Sequence, residues 1–232
     1  MDLIVDGGIQ AFWLLVGGDP DLWRVVMLSL VVSGSATIIS LVLGIPLGMA
    51  LALRTFPGRR IVVSLVNTGM GAPPVVVWLV VTIILWRSGP LGALHLLYTP
   101  SAMIIAQCII ALPIVTGFTL ASIQQLDPKL RLQILALGAS RAQMLWLLVK
   151  EARLPLLAAV MAGFGAVISE VGASMMVGGN ITGQTRVLTT ATVMETSKGN
   201  FELAIGLSII LMVLIYLVNL VLTIAQQRRP TS

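Results

Sequence analysis

The sequence predicts an all-α integral membrane protein with five transmembrane helices and one long polar loop. Of its 232 residues, 57% are hydrophobic and only 10% are charged, whereas soluble domains usually carry about 25% charged residues. Five apolar runs are each long enough to cross the hydrocarbon core, for which roughly 20 residues suffice. They lie at residues 25–53, 61–86, 101–123, 154–177 and 203–225, so residues 1–232 are expected to form a single transmembrane domain.

The distribution of lysine and arginine predicts the orientation. Residues 54–60, residues 127–153 and the tail (Arg228 and Arg229) hold ten of these residues, and the other loops hold four: Arg24, Arg87, Arg186 and Lys198. Because cytoplasmic loops carry the positive excess, we expect the N-terminus outside and the C-terminus in the cytoplasm. The net charge of +5 comes from these loops beside the apolar runs. We therefore expect membrane lipid, and no nucleic acid, as a partner.

The N-terminal segment is expected at the membrane surface. Asp2 and Asp6 stand where a signal peptide carries positive charge, so the sequence shows no cleavable targeting segment. Residues 9–16 are apolar but too short to cross the bilayer. Their Phe12 and Trp13 favour an interfacial position.

The first span contains residues that allow another helix to come close. Gly44 and Gly48 are four residues apart, a spacing that permits close helix packing, and Pro46 between them is expected to kink the helix.

The second span contains eight consecutive residues, 67–74, that favour a distorted helix. They include Asn67, Pro73 and Pro74. Irregular backbone at membrane depth is tolerated only where protein or a water-filled cavity surrounds it. This segment therefore either lines a translocation path or is a plain kink.

The fourth span carries a charge inside the membrane. Gly165, Ser169 and Ala173 recur every fourth residue and predict a face for tight packing, with Glu170 on an adjacent face and Ser174 one turn later. A charged side chain in the bilayer costs about 2.5–3.5 kcal/mol on insertion scales, so it faces protein or water. Glu170 is either a hydrogen-bonded structural residue or part of a gate.

A glycine-rich segment at 175–186 follows the fourth span on the predicted outer side. It contains Asn180 and ends in Arg186. Glycine amides and an arginine can bind an anion, although a segment that only turns the chain has the same composition.

Residues 127–155 form the one long stretch that mixes charge with a helical pattern. Asp127 followed by Pro128 predicts a helix start, and Gly138 predicts its end. Ser140 and Gln143 have the spacing of a capping box, so a second helix is expected to follow. The result is a cytoplasmic helix–glycine–helix loop at 127–153.

Residues needed for several chemistries are absent from the sequence. His95 is its one histidine and Cys108 its one cysteine, and no Gly-Lys dipeptide occurs, so it contains no P-loop. We therefore predict no catalytic residue, no cofactor and no metal site. If the protein moves a solute actively, another subunit must supply the energy.

The segment Leu137-Gly138-Ala139-Ser140-Arg141 resembles the centre of the coupling loop in ABC importer permeases. Leu132-Gln133-Ile134 stand where the family usually has Glu-Ala-Ala. The downstream Leu154-Pro155 comes about four residues later than in most members, which is one helical turn.

Further segments are similar to the molybdate and tungstate branch of these permeases, and the later ones are most like its tungstate members. The segments are Ala72-Pro73-Pro74-Val75-Val76, Leu112-Pro113-Ile114-Val115, Ile168-Ser169-Glu170-Val171-Gly172-Ala173, Met176-Val177-Gly178-Gly179-Asn180-Ile181 with Thr185-Arg186, and the stretch from Glu195 to Ala204.

The resemblance implies the type I ABC importer permease fold in a prokaryotic inner membrane. It also implies a homodimer, two cytoplasmic ATP-binding subunits and an extracytoplasmic oxyanion-binding protein, with transport by alternating access. The residues implied for ATPase docking are Leu137, Gly138, Ala139, Ser140, Arg141 and Met144. The candidates that the residues themselves gave above for the translocation path or gate are Asn67, Pro73, Pro74, Glu170 and Ser174, and those for the outer loop are Asn180 and Arg186.

The sequence leaves other functions open. A permease for molybdate or sulfate is the nearest alternative. A stand-alone anion channel would explain Arg186 and the broken second span, but not an amphipathic cytoplasmic helix pair. An intramembrane enzyme would need a nucleophile paired with a base, and the sequence offers no such pair.

Overall fold

The computed structural model describes residues 2–227, except for the side chains of residues 2–4, 14, 15, 173 and 225; Arg228 and Arg229 of the tail lie outside the described residues. All regular elements of this described part are helices. They are α1 (Asp2–Val16), α2 (Pro20–Leu53), α3 (Arg59–Met70), α4 (Pro74–Leu85), a 3-10 helix (Gly92–Leu94), α5 (Pro100–Gln124), α6 (Pro128–Ala136), α7 (Arg141–Glu151), α8 (Arg153–Ile168), α9 (Gly172–Gly178), α10 (Leu188–Ser197) and α11 (Phe201–Gln227).

Within residues 2–227, three helices are long and apolar enough to cross a membrane unaided. They are α2, α5 and α11, which cover the first, third and fifth runs of the sequence. Two bent helix pairs, α3 with α4 and α7 with α8, raise the number to five if each pair counts as one span. α2 starts earlier than predicted because the Asp19 carboxylate accepts a hydrogen bond of 2.9 Å from the Asp21 backbone N–H.

α2 and α5 pack closely through the glycines of α2. A Cβ placed on Gly44 would lie 2.8 Å from the Val115 side chain, and one on Gly48 would lie 2.6 Å from Thr119 Cβ. Contacts this short leave no room for a methyl group. The predicted close approach at these glycines is confirmed, and α2 continues as a helix through Pro46.

The second span is broken more sharply than the predicted distortion. α3 ends at Met70 and α4 begins at Pro74, and the two helices meet at 102°. Pro74 occupies the first turn of α4, where its missing N–H costs nothing. Gly71 and Pro73 lie in the break, which lets the chain change direction at this point.

The prediction of one continuous fourth span was wrong. α8 ends at Ile168, residues 169–171 interrupt the helix, and α9 covers only Gly172–Gly178. The tight packing face expected there is not formed within this chain, because Ser169 is exposed and no atom lies within 4 Å of a Cβ built on Gly165. The side chain of Ala173 lies outside the described residues.

The N-terminal segment forms a longer helix than its apolar run suggested. α1 packs against α11, where a Cβ on Gly7 would lie 2.5 Å from an Ile205 methyl carbon. Ala11 is buried in a cluster with residues of α2, α10 and α11. Phe12 and Trp13 remain exposed and contact each other edge to face.

Candidate functional site

The polar loop between α5 and α8 has the local structure that its sequence predicted. The Asp127 carboxylate accepts a 2.8 Å hydrogen bond from the Lys129 N–H at the start of α6. Gly138 has φ of +83°, the left-handed conformation that lets the chain leave α6. Ser140 and Gln143 form the capping box of α7, with bonds of 3.3 Å and 2.7 Å. Helix, glycine turn and second helix are all confirmed.

The base of this loop is packed into the ends of the long helices. Met144 and Leu148 of α7 and Ile134 of α6 are buried in one apolar cluster. The other buried members come from α2, α5, the α7–α8 junction and α8, and are Met49, Ile123, Ala152 and Leu156. The base of the loop is therefore packed against α2, α5 and α8 through buried side chains.

The burial of Met144 corrects one sequence-based assignment. Met144 was grouped with residues that dock onto a partner, but its side chain is only 5% exposed. It faces inward because it lies one turn before the buried Leu148, on the side of α7 that packs against α6 and the ends of α2, α5 and α8. Its place is in the packing of the loop and not on the surface.

The tip of the loop is exposed. Leu137 is 88% exposed, and Gly138, Ser140 and Arg141 are exposed beside it, while Ala139 is partly buried. A leucine in this position has nothing to cover it within the described chain, and water around such a side chain is unfavourable. The tip of the loop therefore exposes the Leu137 side chain, whereas the base of the loop is buried against the long helices.

A small cleft lies at the break in the second span. It has a volume of about 250 Å³ and is lined by residues 69–74, including Pro73 and Pro74, by α5 and by Ala166 of α8. Asn67 is exposed on α3 and does not line this cleft. The structure therefore brings the two prolines, and not the asparagine, next to α8.

The break in the fourth span is held by neighbouring helices. The Glu170 backbone carbonyl accepts hydrogen bonds from the Ser174 hydroxyl at 3.3 Å and from the Thr189 hydroxyl of α10 at 3.2 Å. Ser174 is fully buried, so it does not present a polar surface to a path in this structure. The Glu170 side chain is half-buried.

Gln107 has a structural role at this break that sequence reasoning missed. It is only 2% exposed, and its side-chain amide donates a 3.1 Å hydrogen bond to the Val167 carbonyl at the end of α8. The carbonyls at a helix end need such donors. An amide within an apolar run was the available signal, but its partner is 60 residues away.

The predicted outer loop closes on itself. The Arg186 guanidinium donates from Nε to the Asn180 side-chain oxygen at 3.3 Å, and the Asn180 amide contacts Met194 Sδ of α10. Thr185, which is fully buried, donates to the Gly178 carbonyl and accepts from the Ile181 N–H. The two residues singled out in the sequence are thus in contact.

An acidic residue beside this loop was not identified as important in the sequence. Glu195 of α10 is 8% exposed and accepts hydrogen bonds from Asn200 at 2.8 Å and Lys198 at 2.7 Å. These two donors, with Arg186 nearby, hold the pKa of the Glu195 carboxyl below its ordinary value. The spacing of Glu195 and Lys198, three residues apart, was the signal that sequence reasoning could have used.

Comparison with known proteins identifies the family. Residues 44–229 match the family described as the binding-protein-dependent transport system inner membrane component. The chain belongs to this family. The matched range contains the loop at 127–153, both broken spans and the outer loop, whereas α1 and the first part of α2 precede it.

Three relatives of the permease each align with between 78% and 98% of its length. It is 44% identical over 200 residues to a probable anion ABC transporter permease protein of Haloferax volcanii, covering 84% of this chain and 86% of that protein. It is 38% identical to the tungstate uptake system permease protein TupB of Peptoclostridium acidaminophilum, covering 98% and 100%. The molybdenum transport system permease protein ModB of Escherichia coli K12 is 27% identical, covering 78% and 83%.

A solved structure supports the fold. The permease aligns with a chain of the inward-facing MetNI methionine ABC transporter with a TM-score of 0.71 at 20% identity, covering 93% of this chain and 96% of that one. The expected ABC importer permease fold is confirmed. The family match makes the chain the inner membrane component of a transport system.

Proposed function

We propose that this permease is the membrane subunit of an ATP-driven importer for tungstate or a related tetrahedral oxyanion. Two copies would pair around a central path, two ATP-binding subunits would dock from the cytoplasm, and an extracytoplasmic binding protein would deliver the anion. The support for the oxyanion is the high coverage of an anion permease and a tungstate permease among the relatives. Molybdate or sulfate is the alternative cargo, because these anions share the tetrahedral shape.

The observation that carries the proposal is the exposed Leu137 at the tip of a loop whose base is buried. An ATPase subunit with an apolar groove would cover this side chain, and Gly138 would let the two backbones come close. The positive φ of Gly138 aims the chain away from α6 at this point. The neighbouring Ser140 and Arg141 are exposed and available for polar contacts with the same partner.

Movement of the docked loop would reach the spans through the buried cluster at its base. Ile134, Met144 and Leu148 contact the ends of α2, α5 and α8, so ATP-driven closure would move these helices as nearly rigid bodies. Alternating access of this kind is a known form of rigid-body transition. Pro73, Pro74 and Glu170 lie at the two broken spans and would border the path.

The proposed orientation places the coupling loop in the cytoplasm and the N-terminus outside. The excess of positive charge in residues 54–60 and 127–153 supports it. The outer loop with Asn180 and Arg186 then faces the binding protein.

Co-purification tests the docking role. The tagged permease is recovered from membranes in mild detergent, its partners are identified by mass, and ATP hydrolysis is measured. Leu137→Glu should leave the permease in the membrane but reduce recovery of the ATPase subunit. Leu94→Glu is the matched control, because Leu94 is also exposed and lies just before the start of α5, a helix of 25 residues and about 37 Å in length, whereas the loop follows the end of that helix.

The outcomes separate the possible functions. Recovery of the permease alone, with ATP-independent anion flux in liposomes, would show a channel and refute the importer. If Leu137→Glu and Leu94→Glu reduce recovery of the ATPase subunit equally, the docking role assigned to Leu137 is refuted. Competition of tungstate, molybdate and sulfate for uptake then identifies the cargo.

A further inference from the structure

A cleft separate from the proposed path lies between the first turns of α2, the outer loop, α10 and α11. Its volume is about 530 Å³. Five charged residues line one part of it, namely Asp19 just before α2, Asp21 and Arg24 of α2, Arg186 of the outer loop and Glu195 of α10. Apolar residues line the remainder.

One face of α2 changes from charged to apolar along this cleft. Arg24, Leu28 and Val31 all line it and are spaced by four and three residues, so they lie on the same side of the helix. With a rise of 1.5 Å per residue, Val31 is about 10 Å further along the axis than Arg24. Trp23 is exposed beside Arg24, a residue type that is enriched at the level of lipid headgroups.

The side of the cleft opposite α2 also has a charged part and an apolar part. Arg186 and Glu195 supply charge, and Leu203 and Leu207, one turn apart on α11, supply apolar surface. α2 and α11 are both candidate membrane spans, so the apolar part of the cleft lies along helices that contact hydrocarbon. The exposed Met27 and Val31 leave this part accessible from the side.

We propose that this cleft binds a phospholipid whose headgroup carries both a phosphate and a primary ammonium group, which can donate hydrogen bonds to carboxylates. The phosphate would lie between the guanidinium groups of Arg24 and Arg186, since arginine pairs well with phosphate oxygens. The ammonium would lie near the carboxylates of Asp19 and Asp21 at the start of α2, because Glu195 already accepts hydrogen bonds from Lys198 and Asn200. The first carbons of an acyl chain would cover Leu28 and Val31.

The mixed charge and the apolar wall favour a phospholipid over the other possible occupants. A purely anionic lipid would bring no cation to the carboxylates of Asp19 and Asp21. A water-soluble binding protein would reach the charged rim but would leave the apolar wall uncovered. This inference does not depend on which anion the permease carries.

Native mass spectrometry tests the proposal. The permease, with the subunits that co-purify, is placed in nanodiscs containing equal amounts of dioleoyl phosphatidylethanolamine, phosphatidylcholine and phosphatidylglycerol, and retained lipids are counted after release. The wild type should retain phosphatidylethanolamine in preference to the other two. Arg24→Gln should weaken retention about tenfold, which corresponds to about 1.4 kcal/mol, and adding Arg186→Gln should weaken it further.

Arg87→Gln is the matched control, because Arg87 is exposed and lines a different cleft. Arg24 is suitable for the first substitution because its side chain is 70% exposed and its ion pair with Asp21 is long at 3.7 Å, so folding does not rely on it. Retention that is unchanged in Arg24→Gln, or reduced equally in Arg87→Gln, would overturn the proposal. So would a preference for phosphatidylglycerol.

A photo-reactive residue at Val31 distinguishes the occupants directly. An adduct with the mass of phosphatidylethanolamine supports the lipid site. An adduct with a second copy of the permease, or with the binding protein, overturns it.

Discussion

The contrast between Met144 and Leu137 gives a direct test of the coupling loop. Met144 is buried at the base and Leu137 is exposed at the tip, so truncating each to alanine should affect different properties. Met144→Ala should lower the stability of the permease without removing a docking contact. Leu137→Ala should weaken docking without lowering stability.

The size of each effect follows from burial. Replacing a buried methionine by alanine costs about 2–5 kcal/mol. We expect the lower part of this range, about 2–3 kcal/mol, because the cluster lies at the ends of helices and can partly collapse. A loss of this size lowers Tm by about 4–12 °C for a chain of this length. An exposed leucine away from special features changes stability by less than about 0.5 kcal/mol.

The assay combines two measurements on the same preparations. Thermal unfolding of each purified variant in detergent gives Tm, and ATP hydrolysis of the assembled complex in liposomes gives coupling. We expect a lower Tm for Met144→Ala and a normal Tm with reduced ATP hydrolysis for Leu137→Ala. A Met144→Ala variant that keeps the wild-type Tm and loses coupling would refute the assignment of Met144 to the packed base.

Three further predictions concern the helix contacts, the broken fourth span and the outer side. Gly48→Ala should destabilise the protein by about 1–3 kcal/mol through overpacking. Gly34→Ala is the control and should not, because no atom lies within 4 Å of a Cβ built at Gly34. Equal Tm values for the two variants would contradict the α2–α5 contact. Glu170→Gln should reduce uptake more than assembly. A variant with wild-type uptake would show that Glu170 has only a structural role. The hydrogen bond from Asn200 lowers the pKa of Glu195 below its ordinary value of 4.5, so its stabilising contribution is complete above pH 4.5 and is lost as the pH falls through the lower folded-state pKa. Glu195→Gln should reduce this acid-induced loss of stability, which a pH series of unfolding measurements detects.

The features that could be predicted from the sequence depend on interactions over a few residues. The cap at Asp127, the turn at Gly138 and the capping box at Ser140 each involve groups two to four residues apart. The hydrophobic runs likewise predicted the helices α2, α5 and α11, because length and composition are enough to make a helical segment stable in lipid. Gly44 and Gly48 were recognisable from their spacing alone.

The candidate site was less predictable because exposure depends on distant parts of the chain. Met144 and Leu137 are both apolar residues of the same loop, yet one is buried against α2, α5 and α8 and the other is exposed. Ser174 was expected near a path, but the folded chain buries it beside the Glu170 carbonyl. No local pattern reports such contacts.

The sequence alone therefore determined that this protein is helical, lies in a membrane and has a capped loop between its third and fourth hydrophobic runs. The tertiary structure decided which side of that loop is exposed, where the fourth run breaks, and that α2, α10, α11 and the outer loop enclose a cleft. The physical reason is the range of the interactions. Hydrophobic transfer and helix capping act within one segment, whereas burial and the hydrogen bond between Gln107 and Val167 require segments that are far apart in the chain to meet.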